Sequence, residues 1–210
     1  GGWPSSVWPM HAHCFRRSFL LPGLLLCTGD RGGRPLAAPA DDSDSFAPAR
    51  ANAGLQFPLR TSGRYIVDAS GQRVRFACVN WYGAQMEQMA PNGLNHQRVE
   101  RIAAIIVGHG FNCVRLPFSL DVVFTNRSSV PSPHTSLRAN PDLKSKSPLE
   151  VFDAALEALT DKGLMVILNN HVSSARWCCS LSDGEGLWYT SEYPVDSWLD
   201  GLAQMAARCG

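Results

Sequence analysis

The sequence lacks a membrane span. Its longest apolar run, Ser18 to Thr28 (SFLLPGLLLCT), is roughly half of the about 20 residues that a crossing helix takes. A surplus of either charge is also missing. Lys and Arg total 19 against 18 Asp and Glu, a net charge of +1. There is accordingly no basic face for a phosphate backbone and no acidic tail, so nucleic acid is not an expected partner. The seven cysteines, Cys14, Cys27, Cys78, Cys113, Cys178, Cys179 and Cys209, include no CxxC pair, and no histidine stands at metal-ligand spacing from them. A structural zinc site is unsupported, and neither metal nor cofactor is expected. The odd cysteine count leaves at least one thiol unpaired within the chain. Apolar residues are not scarce: 45% are hydrophobic and 18% charged, the balance of a folded globular domain, which excludes disorder of the whole chain.

The N-terminal part has the layout of a secretory leader. Met10 precedes Arg16 and Arg17, the apolar run from Ser18 to Thr28 follows, and Ala38-Pro39-Ala40 supplies small residues at a cut site. The expectation is a secreted, extracellular protein. The alternative is a Pro/Gly-rich leader without that role, or misassigned upstream sequence, to which the nine residues before Met10 point. The sequon Asn126-Arg127-Ser128 is usable only after secretion. Residues 1–54 lack the periodicity that would bury a face and are read as leader and disordered linker, and residues 55–210 as the folded part.

Within the folded part, Asp68-Ala69-Ser70-Gly71 separates two β-prone runs, Arg64 to Val67 and Gln72 to Val74, and marks a short hairpin. Strand-like runs then alternate with helical patterns, the mark of parallel strands joined by crossover helices. The first unit is a strand over Arg75 to Tyr82 and a helix N-capped near Asn95, with Val99, Ile102, Ala103 and Ile106 on its buried side. In the second, Phe111 to Leu116 is the strand. A long connection leads to a helix announced by Ser147-Pro148-Leu149-Glu150, a capping box with Pro at the first helical position, burying Phe152, Ala155, Leu156 and Leu159. The third has the strand Leu164 to Leu168, an irregular loop, and a helix with Trp198, Leu202, Met205 and Ala206 on one side. Three such units cannot close an eight-unit barrel. The fold class expected is α/β, an incomplete (β/α)8 TIM barrel with about three βα units after a hairpin; a small doubly wound α/β domain is the alternative.

In parallel α/β folds, chemistry gathers where strands end. Here those ends are Asn80-Trp81-Tyr82-Gly83, Arg115-Leu116-Pro117-Phe118 and Asn169-Asn170-His171-Val172. Arg115 between apolar neighbours calls for a carboxylate or anion partner, because a guanidinium does not shed its charge. His171 suits a sugar hydroxyl, a metal or a base role, or merely ends the strand. Trp81, Tyr82, Trp177 and Trp188 fall in or beside the strand-end loops, where flat rings stack on sugars or simply pack. Asp183 and Glu185 stand near a strand end, but Gly184 and Gly186 beside them indicate a turn.

The segments Val79 to Gly83, Gly110 to Phe118 and Val166 to His171 resemble the first three strand ends of glycoside hydrolase family 5, and Trp177-Cys178-Cys179 with Asp183 to Tyr189 is similar to the third loop of a eukaryotic cellulase-like branch. The resemblance spans about Leu59 to Arg208. It implies a retaining β-glycosidase acting on a β-linked oligo- or polysaccharide or a glycolipid, with two catalytic glutamates at the ends of strands four and seven. Neither glutamate is assignable here, so the chain is expected to be an inactive N-terminal part. The positions matching Arg115 and His171 support the nucleophile and the sugar, and Asn170, Trp81, Tyr82, Trp177 and Trp188 are the substrate-binding candidates. A non-catalytic secreted carbohydrate-binding protein and an unrelated α/β enzyme are the rival readings.

Overall fold

A computed structural model describes residues 20–21, 24–27, 51–125, 136–180 and 182–209. The leader landmarks Met10, Arg16, Arg17 and Ala38 to Ala40, and the sequon at Asn126, lie outside the described residues. No helix among them is long and apolar enough to cross a membrane.

The protein is α/β. Strands β6 (Cys78–Asn80), β7 (Cys113–Ser119) and β8 (Met165–Val172) run parallel, with β7 in the middle. Helices α1 (Val99–Gly108) and α3 (Pro148–Asp161) make the two crossovers, and α4 (Val195–Ala207) follows β8. Alternation along the strands divides their side chains between two faces. Val114, Leu116, Phe118, Val166 and Leu168 pack into the main core with Val99 and Ala103 of α1 and Phe152, Ala155 and Leu159 of α3. The opposite face carries a smaller cluster in which Cys113 and Met165 meet Leu59, Val74 and Ile167. Farther along, this second face holds the polar groups of the site. A disulfide joins Cys78 of β6 to Cys113, its register partner in β7.

The expected hairpin forms within a small antiparallel sheet of β3 (Arg60–Ser62), β4 (Tyr65–Val67) and β5 (Arg73–Val74). Buried Asp68 closes its turn by accepting from Ser70 Oγ and the Gln72 N–H, contacts that hold its carboxyl below the usual range. The capping box of α3 is complete: the Ser147 side chain accepts from the Glu150 N–H, and the Glu150 carboxylate accepts from the Ser147 N–H.

The other boundaries differ from the expectations for identifiable reasons. Helix α1 begins at Val99 rather than near Asn95, and its first N–H is capped from a distance: Asn140 Oδ1 accepts from Val99 N at 2.9 Å while Asn140 Nδ2 donates to the carbonyls of Leu94 and Gln97. Strand β7 continues through Pro117. The Arg115 carbonyl accepts from Trp81 N–H and so faces β6; Pro117, two residues on, turns its nitrogen to the same side beyond the end of β6, where no ladder bond is lost. A short helix, α2 (Leu120–Phe124), starts the connection that the sequence shows only as Ser/Pro/Asn-rich. The folded unit already includes Ala51, whose N–H donates to Lys162 O, and Asn52, which donates to Asn112 O and Gly163 O. Gly163 has φ +75°, and any Cβ there would collide with the Ala51 carbonyl, so glycine both ends α3 and admits this segment. Two strands from the apolar run, β1 (Leu20–Leu21) and β2 (Leu24–Cys27), extend the sheet: β2 pairs antiparallel with β8 at Val166 to Leu168.

Candidate functional site

Three side chains converge at the C-terminal ends of β7 and β8. Arg115 Nη2 donates to Asn169 Oδ1 at 2.5 Å and lies 3.3 Å from His171 Nδ1. A guanidinium has no acceptor, so Nδ1 of His171 must receive the bond, which leaves the ring proton on Nε2. Burial, and then the adjacent Arg115 charge, push the His171 pKa below its ordinary value. The ring is therefore neutral near pH 7 and offers one N–H donor. Arg115 is half-buried, and among the described residues it meets neutral partners and no carboxylate.

Asn169, not the expected Asn170, is the asparagine that meets Arg115. Period-two alternation would have separated them: Asn169 shares the face of Ile167, whereas Asn170 is turned toward the helices. The Asn170 amide is already engaged, accepting from Trp198 Nε1 of α4 at 3.0 Å and donating to Val172 O. His171, two residues after Asn169, falls on the same face and joins it at Arg115, next to a register irregularity between Phe118 and Ser119. Trp81 also departs from expectation. It is 6% exposed within the core, with Nε1 donating to Asn92 O at 2.7 Å, so its ring is packing rather than sugar platform. Tyr82, Trp177 and Trp188 are exposed, Trp177 the most at 68%.

The loop after β8 is fastened by carboxylates. The Glu185 side chain, 7% exposed, accepts from the N–H groups of Ser173 and Ser174 at 2.7 and 2.9 Å. Asp121 of α2 accepts from Ala175 N and from the Tyr193 hydroxyl, whose pKa is pushed up by burial and then by this carboxylate. Asp183 accepts from Glu185 N and Ser180 N, and its pKa is lowered chiefly by the first of these bonds. Asp183 and Glu185 are thus loop anchors, as their glycine flanks indicated. The anchored loop carries Trp177 and a disulfide between the adjacent Cys178 and Cys179. A ring nitrogen of His171 and the two sulfurs lie within 4.8 Å of one another. Joined as a disulfide, neither sulfur is a thiolate, so of these three only His171 is an effective metal ligand.

This geometry can orient a polyhydroxylated ligand through one neutral N–H donor, one guanidinium and exposed rings, but it contains no free pair of facing carboxyls among the described residues. Comparison with known proteins adds the context. The profile described as Cellulase (glycosyl hydrolase family 5) matches residues 67–210. A glycosyl hydrolase 5 family protein of Chamaecyparis obtusa is 38% identical over 163 residues, covering 71% of this chain and 29% of that protein. Among solved structures, the catalytic domain of the major endoglucanase from Xanthomonas campestris pv. campestris is 27% identical with a TM-score of 0.58, over 70% of this chain and 40% of that one. An endocellulase from Pyrococcus horikoshii, solved with cellotetraose, shares the fold at 23% identity and a TM-score of 0.59, over 74% of this chain and 40% of that one. The chain thus spans well under half the length of each of these proteins.

Proposed function

The chain belongs to glycosyl hydrolase family 5, and on that premise we propose that it is the N-terminal portion of a secreted retaining β-glycosidase acting on β-linked glucan. In this reading β6, β7 and β8 with their crossover helices are the first βα units of a (β/α)8 barrel, and the face bearing Arg115 is the barrel interior. The catalytic acid/base and nucleophile are glutamates outside these 210 residues. Retention requires two carboxyls about 5–5.5 Å apart across the scissile bond. The carboxylates beside the described strand ends, Asp121, Asp183 and Glu185, each already accept backbone N–H groups. Alone, the chain is expected to hydrolyse an aryl β-glycoside no faster than a blank, and turnover by a rigorously pure preparation would refute that.

The observation that carries the reading is Arg115, a half-buried guanidinium at a strand end whose partners Asn169 and His171 are both neutral. A carboxylate placed beside it is held ionised, since an opposite charge within about 4–6 Å lowers a carboxyl pKa by roughly one to three units. His171 Nε2–H then donates to a sugar hydroxyl. In the complete hydrolase, Arg115→Lys keeps the charge but loses the planar fork and should lower kcat with the fold retained. Arg115→Ala should lose more and move the acidic limb of the pH–rate profile upward, because the nucleophile loses its positive neighbour. Wild-type rates with an unmoved acidic limb in both variants would make Arg115 structural and remove the support.

A further inference from the structure

The sequence places Cys178 and Cys179 side by side, and the fold sets them against the site rather than in the core. Cys179 is exposed, Cys178 is partly exposed, and both sulfurs lie near a His171 ring nitrogen on the Arg115 face. Closing a disulfide between adjacent residues forms an eight-membered ring. Cys179 correspondingly adopts φ +83°, a conformation that non-glycine residues rarely take. Around this ring, Glu185 and Asp121 hold the three N–H groups of Ser173, Ser174 and Ala175, so the loop that presents it is fixed at its root.

We propose that the Cys178–Cys179 disulfide is a contact surface for a pyranose ring of the glucan, effective only while oxidised. The proposal rests on the glycosidase reading and names a subsite wall within it. Two polarisable sulfurs and two methylenes offer a compact soft surface without a hydroxyl or N–H donor. In a β-glucopyranose the hydroxyls are equatorial and the ring faces are C–H, so such a surface suits the face while the neighbouring His171 Nε2–H suits a hydroxyl at the edge. Exposed Trp177, next in the chain, extends the apolar wall. Reduction opens the ring. With a water-soluble phosphine, the S–S bond takes up two electrons and two protons to give two thiols, while the phosphine becomes its oxide with an oxygen from water. The two freed side chains then rotate independently, and Cys179 can leave its positive φ.

The test titrates cellotetraose into the 210-residue chain and follows tryptophan fluorescence. Three samples are compared: the oxidised chain, the phosphine-reduced chain, and C178S/C179S, which leaves the Cys78–Cys113 bridge in place. Near-UV circular dichroism verifies that all three remain folded. The expected result is a Kd about fivefold weaker for both the reduced chain and the double variant, the order expected when several van der Waals atom pairs against the sugar face are lost. Equal affinity in oxidised chain and variant would overturn the inference and leave the glucan reading standing. Absence of binding in every sample would overturn both.

Discussion

The loops that leave β6 and β8 rise from the same edge of the sheet and are secured by different chemistry. The first, between Trp81 and Val99, has its buried contacts made by neutral groups: Trp81 Nε1 on Asn92 O, Gln85 Oε1 on Gly83 N, and the Asn140 amide on Leu94, Gln97 and Val99; only at its exposed end does Arg98 pair with Asp142 and Glu100. The second, from Ser173 to Tyr193, hangs on Glu185, Asp121 and Asp183. Amide anchors do not titrate. Carboxylate anchors make stronger bonds to N–H groups but depend on ionisation. The loop carrying Trp177 and the disulfide is consequently the one whose hold can be loosened without unfolding the core.

The largest expected effect is on the neutral side. Asn140 is fully buried, and Asn140→Ala strands a helix N–H and two carbonyls, which should cost about 3 kcal/mol in urea unfolding and expose the Val99 amide to hydrogen exchange. Unchanged exchange at Val99 would show that the cap is dispensable. Next comes Glu185→Gln, which replaces one of two carboxylate acceptors by a donor. About 2 kcal/mol should be lost, and the expected readout is faster proteolysis between residues 176 and 189 with the first loop unaffected. Equal sensitivity of both loops would end the contrast.

How much of this was legible in the sequence follows from the range of each interaction. The capping box of α3 is written within four consecutive residues, so it could be read directly. The cap of α1 comes from Asn140, 41 residues after the N–H it serves, and no local pattern announces it. Arg115 and His171 stood out because a charge and an imidazole beside apolar strands are conspicuous. The period of two alone separates Asn169, on the face of Arg115 and His171, from Asn170, which bonds to Trp198 of α4. Trp81 was unreadable, because its burial depends on a loop folding back to bring up Asn92 O. The Cys78–Cys113 pairing likewise depends on strand register, which composition does not contain.

Smaller effects sharpen the same contrast. Ser147→Ala, which removes none of the bonds that anchor either loop, should cost about 1 kcal/mol and leave both loops unchanged, which makes it the control for global destabilisation. For Asp183 the sign is that of a carboxyl with a lowered native pKa: its contribution is complete above the ordinary value of 3.8 and fades as pH falls through the native value. The protection factor at Glu185 N, taken relative to intrinsic exchange, should therefore fall in acid, whereas that of Gly83 N, held by the Gln85 amide, should show no matching step.

Arg115, Asn169 and His171 touch one another as a unit, and if that unit faces the sugar as proposed, His171 reports on it directly. Long-range proton–nitrogen correlation spectra of the imidazole, recorded across pH and again with cellotetraose, give its tautomer, its titration and its contact. The expected result is a proton on Nε2, a midpoint below the ordinary 6.5, and an Nε2 resonance that moves when the sugar is added. A proton on Nδ1, a midpoint at or above 6.5 and no response to cellotetraose would contradict it.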